Sequence, residues 1–594
     1  MALNITKSTF MEYIRCKRYP ALNNIHKRKE IEDLEKERFY DLIESLENFE
    51  FDDEDFLEPS LEHLEVMMPY YNEVEVLSAR KVMSEWHGET QYGTKFGTQK
   101  LFMRDYKQFN LMCYVDIFNK NNGQINIIEA KATTSNKYMS MGYSVSGEKI
   151  SIFYKDELGI IKLKEEQDPS WLDDSKYLKQ REKLMNRFSD AGVYVYDLAF
   201  QRFVIEEDIT DAKYYLGVLN HEYEFDGTYF DGKAVYSNEI TTFIDLTKIT
   251  KELLPMIERD VNEVIDRIVT DDAKRVPLGK HCQLKKQREC IYKDICYDRF
   301  PEKNSILMFA NKHHGFKDEE GNKYDTWDLI EDGYYSMESL PNDWMNRKNN
   351  QIQRDCAITH KPFYDVAKIR SGIGELVYPI YHLDFESFPC PLPRFKGERS
   401  YMQSLFQFSL HIEREPGVCD KEKDHLEFLA YNHDDTREEL VQKLCEYIKD
   451  DNGSILVYNQ AFEKTRIKEL AIFFPEYSEQ LHNINSRLFD LMHIVKNNTK
   501  MYEGLGYDSD RAKRWNYYSE ELYGSFSIKK VLPVFSKLTY KGMVVGNGME
   551  AVYAYAGFPN LNKEELTNIR LALTEYCKQD TWAMVEILDE LRKI

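Results

Sequence analysis

Asp384-Phe-Glu386, Glu463 and the pair Tyr576-x-x-x-Asp580 are the residues of this chain whose types and spacing could do hydrolytic chemistry. Asp384 and Glu386 lie in Tyr381-His-Leu-Asp-Phe-Glu-Ser, which reads as a buried strand. Residues two apart on a strand share a face, so both carboxylates point the same way. Tyr576 and Asp580 lie in Leu573-Thr-Glu-Tyr-Cys-Lys-Gln-Asp-Thr-Trp-Ala-Met-Val, whose spacing is helical. Residues four apart on a helix also share a face. Carboxylates converging from a strand and a helix make a hard-oxygen site suited to Mg²⁺ or Mn²⁺. Two such ions clamping a phosphodiester is a standard hydrolytic arrangement, so these residues point to cutting of nucleic acid.

A second set stands earlier. Residues 110–134 alternate apolar and polar around Asn121-Asn-Gly, a hairpin signal. Glu129 and Lys131 share one strand face, and Asp116 falls on the neighbouring strand. Two carboxylates can hold a divalent ion while an ammonium stabilises developing charge or positions the attacking water. Asp116 with Glu129-x-Lys131 resembles the core motif of the PD-(D/E)XK nucleases. Tyr196-Asp-Leu-Ala-Phe-Gln201 resembles the glutamine motif of their RecB-like branch, which implies that Gln201 positions the substrate strand near the metal. His87 is the candidate for that branch's first motif.

Cys282-x7-Cys290-x5-Cys296 supplies three thiolates, and Cys16 is a fourth. A cysteine cluster in a chain with no secretory signal suggests a metal rather than disulfides. One early and three late cysteines bracketing the hairpin resemble the iron–sulfur nucleases, AddB and the RecB-like nucleases of CRISPR adaptation. That resemblance implies a structural [4Fe–4S] cluster; thiolates suit Zn²⁺ equally, so the metal stays open.

The C-terminal motifs, in order, are Asp384-x-Glu386, Tyr458-Asn-Gln-Ala-Phe-Glu463, Gly524-Ser-Phe-Ser-Ile-Lys-Lys-Val-Leu-Pro and Tyr576-x3-Asp580. They resemble the DEDD exonucleases of the RNase H-like fold, in the tyrosine subtype. By that resemblance Asp384, Glu386 and Asp580 bind two metal ions and Tyr576 orients the attacking water. Glu463 departs from the pattern, which usually carries aspartate, and Asp490 is a reserve carboxylate. Taken whole, the chain resembles a bacterial family of uncharacterised proteins that joins a RecB-like iron–sulfur nuclease domain to a DEDD-type domain.

The elements needed to position these residues make a multidomain α/β protein. The expectation is a PD-(D/E)XK core with helical cover over 1–302, a helical connector over 303–372, and an RNase H-like domain with a mixed five-stranded sheet over 373–594. Helical periodicity marks 250–270, and the acidic stretch Glu30 to Glu65 reads as a solvated helix pair. With 594 residues, 42% hydrophobic and 13% aromatic, the chain is globular and too long for one core. The net charge of −23 argues against a broad electrostatic grip on DNA and asks for a local basic groove. No apolar run reaches the length of a membrane span, so no membrane partner and a cytoplasmic setting are expected. Single-stranded DNA or RNA is the expected partner, with bases resting on Phe385 or Phe388. Two other readings stand beside the nuclease: a non-catalytic binding or scaffolding platform, and a regulator whose cluster senses oxidants.

Overall fold

The computed structural model describes residues 3–26, 61–93, 98–282, 290–312 and 315–594. Most of the acidic stretch from Glu30 to Glu65 lies outside them. The protein is α/β, with several mixed sheets. Its chain divides into two compact units: one gathers the N-terminal part up to Tyr292 together with Pro389–Met402, the other Lys293–Phe388 and Gln403–Ile594.

In the first unit, β1 (Leu3–Thr6), β3 (Lys100–Tyr106) and β4 (Phe109–Val115) form a three-stranded sheet in the order β1-β4-β3. The remaining strands are β2 (Glu89–Tyr92), β5 (Ile117–Asn121), β6 (Gln124–Thr134), β7 (Phe153–Lys155), β8 (Ile161–Leu163), β9 (Ala212–Leu219) and β10 (Thr241–Asp245). They build a seven-stranded sheet in the order β2-β5-β6-β9-β10-β8-β7. The hairpin read from the sequence is β5–β6, antiparallel, with Ile117 opposite Ile128 and Asn121 opposite Gln124. Its two turn residues, Asn122 (φ 49°) and Gly123 (φ 87°), both take positive φ, as a two-residue turn matched to strand twist requires. Asp116 is the one residue between β4 and β5, where the chain leaves the smaller sheet for the larger.

Helices α1 (Lys7–Arg15), α2 (Leu61–Glu85), α3 (Gly192–Ile205) and α4 (Thr247–Thr270) cover these sheets. The helical spacing of 250–270 is realised in α4, which buries Ile249, Leu253, Ile257, Val261 and Val264 along one stripe. Phe10 of α1 stacks on Phe200 of α3 at 4.4 Å between ring centroids, inside the same apolar core. Residues 389–402 return as a strap: Phe225 N donates to Glu398 O at 2.9 Å and Gly397 N to Phe225 O at 2.8 Å. Tyr236 Oη donates to Pro393 O at 3.0 Å, and Tyr401 Oη bonds Ala132 O.

The second unit centres on β11 (Ile380–Pro389), β12 (Gln403–Glu413), β13 (His425–Leu429), β14 (Ile455–Val457) and β15 (Leu488–Asp490), in the order β13-β12-β11-β14-β15. β12–β13 is antiparallel, whereas β11–β14 and β14–β15 are parallel. Helix α5 (Arg437–Tyr447) packs against β12. Further on come α6 (Ala461–Phe473), α7 (Ile528–Phe535) and α8 (Lys563–Arg592). A capping box starts α8: Asn562 accepts from Glu564 N and Glu565 N, and Glu565 returns the bond to Asn562 N. α8 is tied to β12 by Gln407 Nε2 donating to Leu573 O at 3.0 Å and by a 2.8 Å bond between Ser409 Oγ and Thr581 Oγ1.

Residues 303–372, expected as a helical connector, do carry helices at Lys348–Thr359 and Val366–Ile373. They also carry the hairpin Phe316–Lys317 with Lys323–Tyr324, and they pack within the second unit. There the Lys368 ammonium donates to the carbonyls of Arg511, Ala512 and Arg514, an alternative to solvent that lets a lysine be buried. Among the described residues no helix is long and apolar enough to cross a membrane.

Candidate functional site

In the second unit, Asp384 and Glu386 stand on the same face of β11, which lies between β12 and β14. Glu463 comes from the first turn of α6, and Tyr576 and Asp580 from consecutive turns of α8. All five line one cleft of about 120 Å³, with Gln403, Tyr458 and Lys529 among the other walls. Glu386, Glu463 and Asp580 are only 7%, 4% and 6% exposed, and Asp384 is half-buried. Lys529 is the one basic residue among the lining side chains. Like charges held this close in low dielectric repel, so the cleft favours a cation.

Cys577, fully buried beside Tyr576, was not read from the sequence as part of this centre. Its thiol donates to Asp384 Oδ2 at 3.5 Å. Among the described residues, Asp384, Glu386 and Cys577 are the set of three whose ligand atoms lie within 4.8 Å of one another. Burial, then the charges of Asp384, Glu386 and Asp580, push the thiol well above its ordinary value, so it stays protonated there. Lys529 Nζ lies 5.6 Å from the centre of the Tyr576 ring, which also meets Tyr540 edge-on at 6.1 Å.

Asp490, the reserve carboxylate, is not among the side chains lining that cleft. Its Oδ1 accepts from Asn459 N at 3.0 Å and Met492 N at 2.9 Å, and its Oδ2 from Gln460 N at 3.2 Å. Asn459 sits at φ 65°, so the carboxylate holds a left-handed residue immediately before the helix that carries Glu463. Phe388 is equally unavailable for base stacking: it is fully buried against His433 and Tyr555. Phe385 is buried too and meets Phe408 edge-on at 6.5 Å.

In the first unit, Asp116, Glu129, Lys131 and Gln201 are brought together, the first three as the hairpin spacing leads one to expect and Gln201 as the resemblance implies. Lys131 Nζ lies 2.9 Å from Glu129 Oε1, and Gln201 Nε2 donates to Glu129 Oε2 at 2.6 Å. Asp116 accepts from Ala130 N at 2.9 Å through Oδ2 and from Gln99 Nε2 at 2.8 Å through Oδ1. Burial and the charges of Glu129 and Glu75 push the Asp116 carboxyl well up. Burial would also raise Glu129, but Lys131, Lys7 and the Gln201 hydrogen bond outweigh it and hold that carboxyl low.

Three members of this centre escaped sequence reasoning. Lys7, at the start of α1, reaches Glu129 Oε1 at 2.7 Å and Asp197 Oδ2 at 3.1 Å. Asp197 is inside the quoted Tyr196-to-Gln201 stretch, one residue from the tyrosine that drew attention. Glu75 stands on α2 among other acids, and the sequence gives no cue that its charge reaches Asp116. His87, the candidate first motif, is exposed where the chain leaves α2, and its carbonyl accepts from Asn119 Nδ2 at 2.7 Å. The acid that α2 supplies toward Asp116 is Glu75.

Cys16 follows α1 as its C-cap. Next to it, Arg15 Nε donates to His281 O at 2.7 Å, which draws this segment to Cys282. Cys290 N donates to Cys282 O at 3.1 Å, so these two cysteines meet through their main chains, and Cys16, Cys282 and Cys290 all belong to the first unit. Cys296 ends the short helix Lys293–Cys296 and belongs to the second unit.

Residues 381–527 match the family described as Domain of unknown function (DUF2779). That span includes Asp384, Glu386, Glu463 and Asp490 and ends before Tyr576 and Asp580. The chain is 26% identical over 238 residues to the uncharacterized protein MG366 of Mycoplasma genitalium, covering 37% of this chain and 33% of that protein. The MG366 homolog of Mycoplasma pneumoniae is 33% identical over 160 residues, covering 25% of this chain and 21% of that protein. Uncharacterized protein UU173 of Ureaplasma parvum serovar 3 is 26% identical over 264 residues, covering 42% and 34%. The match thus spans about a third of these relatives or less.

Proposed function

We propose that the protein is a metal-dependent nuclease with two hydrolytic centres, the second unit removing nucleotides from a 3′ end of single-stranded DNA or RNA. The observation that carries this reading is the convergence of Asp384, Glu386, Glu463 and Asp580 on one cleft beside Tyr576. The sheet order, with the first strand central and the fourth and fifth added in parallel on one side, supports an RNase H-like fold for that unit. In the first unit, a hairpin carrying Asp116, Glu129 and Lys131 against a helix carrying Gln201 supports a PD-(D/E)XK core.

The four carboxylates fit Mg²⁺ or Mn²⁺, being hard oxygen donors gathered on one cleft. Bound there, the ions supply Lewis acidity toward the phosphate and ionise water for attack. Tyr576 orients the attacking water by hydrogen bond, and Lys529 offsets negative charge on the phosphate at the mouth of the cleft. Burial of Glu386, Glu463 and Asp580 keeps bulk water from screening these charges. In the first unit Asp116 and Glu129 are the metal-holding pair, with Lys131 assisting and Gln201 fixing the Glu129 carboxylate. Cys16, Cys282, Cys290 and Cys296 are the residues that would hold a [4Fe–4S] cluster, or Zn²⁺. The Cys290–Cys282 main-chain bond, with the neighbouring bond from the Arg15 side chain to His281, supports such a site, and its role would be structural.

The test compares wild type with Asp384→Ala and Lys131→Ala on single-stranded DNA and RNA labelled at either end, with Mg²⁺ or Mn²⁺. Each substitution should remove a separable activity; if neither changes degradation, the catalytic assignment is wrong. A non-catalytic platform is the second reading, favoured by Glu463 in place of aspartate and by the three donors already on Glu129. Metal binding in calorimetry without turnover on any substrate would support it.

A further inference from the structure

Glu129 receives more donors than a lone metal ligand needs. Lys7 Nζ at 2.7 Å and Lys131 Nζ at 2.9 Å both converge on Oε1, while Gln201 Nε2 takes Oε2 at 2.6 Å. A carboxylate oxygen offers about two lone-pair directions, so two ammonium groups saturate Oε1. A divalent ion can use that oxygen only if one of them leaves.

The two lysines are not equivalent. Lys131 stands two residues from Glu129 on the same strand, with its side chain 4% exposed. Lys7 arrives from a separate helix, at its first position, and bridges to a second carboxylate, Asp197 Oδ2, at 3.1 Å. Its side chain is 8% exposed, so withdrawing the ammonium without another partner would strand a buried charge. Asp197 is that other partner, already in contact.

We propose that Lys7 is an ammonium gate on the first unit's carboxylate centre, sharing Glu129 Oε1 with Lys131 and yielding it to a divalent cation by settling on Asp197. This rests on the reading of Asp116 and Glu129 as a metal-holding pair and adds what regulates it. In the closed state Lys7 supplies the positive charge that the metal would bring. Divalent binding is then weaker than the same carboxylates would give alone, because each ion must displace a hydrogen-bonded ammonium.

Mn²⁺ titration followed by electron paramagnetic resonance tests this on the full chain. Asp384→Ala and Asp580→Ala form the parent background, to remove the second unit's cleft. Lys7→Met in that background should bind Mn²⁺ at least about tenfold more tightly, since a competing charge within 3 Å has gone. The paired Lys7→Met/Asp197→Asn variant, which leaves no orphan carboxylate, should also bind more tightly than the parent and keeps the result readable if Lys7→Met alone does not fold. Equal or weaker binding in a folded Lys7 variant overturns the gate while leaving the metal centre standing. If Mn²⁺ binds neither the parent nor the variants, or binds a Glu129→Gln parent equally well, the metal centre and the gate fall together.

Discussion

Asp490 holds Asn459 in place: its carboxylate accepts the Asn459 amide at 3.0 Å, and Asn459 in turn occupies the left-handed region at φ 65°. The same carboxylate takes Gln460 N and Met492 N, so one side chain ties the end of β15 to the start of the helix bearing Glu463. Asp490→Ala leaves three part-buried amides short of an acceptor. It should cost about 1–3 kcal/mol of stability and weaken Mn²⁺ binding by the second unit. Urea unfolding and metal titration together check this, and an unchanged midpoint with unchanged affinity would refute the positioning role.

Cys577 gives an oxygen-rich cleft one soft donor, with its Sγ, Asp384 and Glu386 clustered within 4.8 Å. Thiolates select Zn²⁺ and Cd²⁺ over Mg²⁺, and metal binding takes the proton from the thiol. Zn²⁺ or Cd²⁺ should therefore inhibit Mg²⁺-dependent hydrolysis by wild type at concentrations at least about tenfold lower than they inhibit Cys577→Ala. Identical inhibition curves for the two proteins would remove Cys577 from the centre.

His411 couples the second unit's stability to pH. It is fully buried, its Nδ1 meets Thr581 Oγ1 at 2.8 Å, and its Nε2 meets Lys421 O at 3.1 Å. The neutral ring serves both partners, accepting from the hydroxyl and donating to the carbonyl. Burial, with His425 adding to it, pulls its pKa down from 6.5 to about 3. The unfolded chain thus takes up this proton near pH 6.5 and the folded chain only near 3. Stability falls as pH drops through that window, by up to about 1.4 kcal/mol per pH unit, and the term is absent above it. The urea midpoint should fall between pH 7 and pH 5, and His411→Gln should flatten that fall.

Glu75, on α2, adds its charge to that of Glu129 in raising Asp116. Glu75→Gln keeps the shape and removes the charge. In an Asp384→Ala background it should lower the remaining Mg²⁺-dependent cleavage at least about tenfold, as loss of a metal-binding charge does. The thermal midpoint should stay close to that of the parent; full activity in the variant would show that Glu75 only shapes the electrostatics of Asp116.

What the sequence made legible was local in period. Alternation around Asn122-Gly123 located the β5–β6 hairpin and put Glu129 and Lys131 on one face, while Asp116, expected on the neighbouring strand, falls just before β5. The two-residue and four-residue spacings put Asp384 with Glu386 and Tyr576 with Asp580. Contacts between distant segments left no such trace. Lys7 meets Glu129 and Asp197 only through tertiary packing of α1 and α3, and a lysine at a helix start looks like any solvated one. Asp490 reads as one more carboxylate until its three backbone partners are seen. Glu75 is hidden by the acids around it, since charge counts do not tell which helix face is turned inward.

The strap at 389–402 sets an order of events on the growing chain. Phe225, Tyr236 and Ala132 wait for partners that are made only after the whole of Lys293–Phe388 has left the ribosome. The first unit therefore goes without these four hydrogen bonds while the following segment is made, although its apolar core draws no residue from the strap and can gather ahead of it, as N-terminal domains usually do during synthesis. A gene fragment ended at residue 302 would leave those bonds unmade permanently.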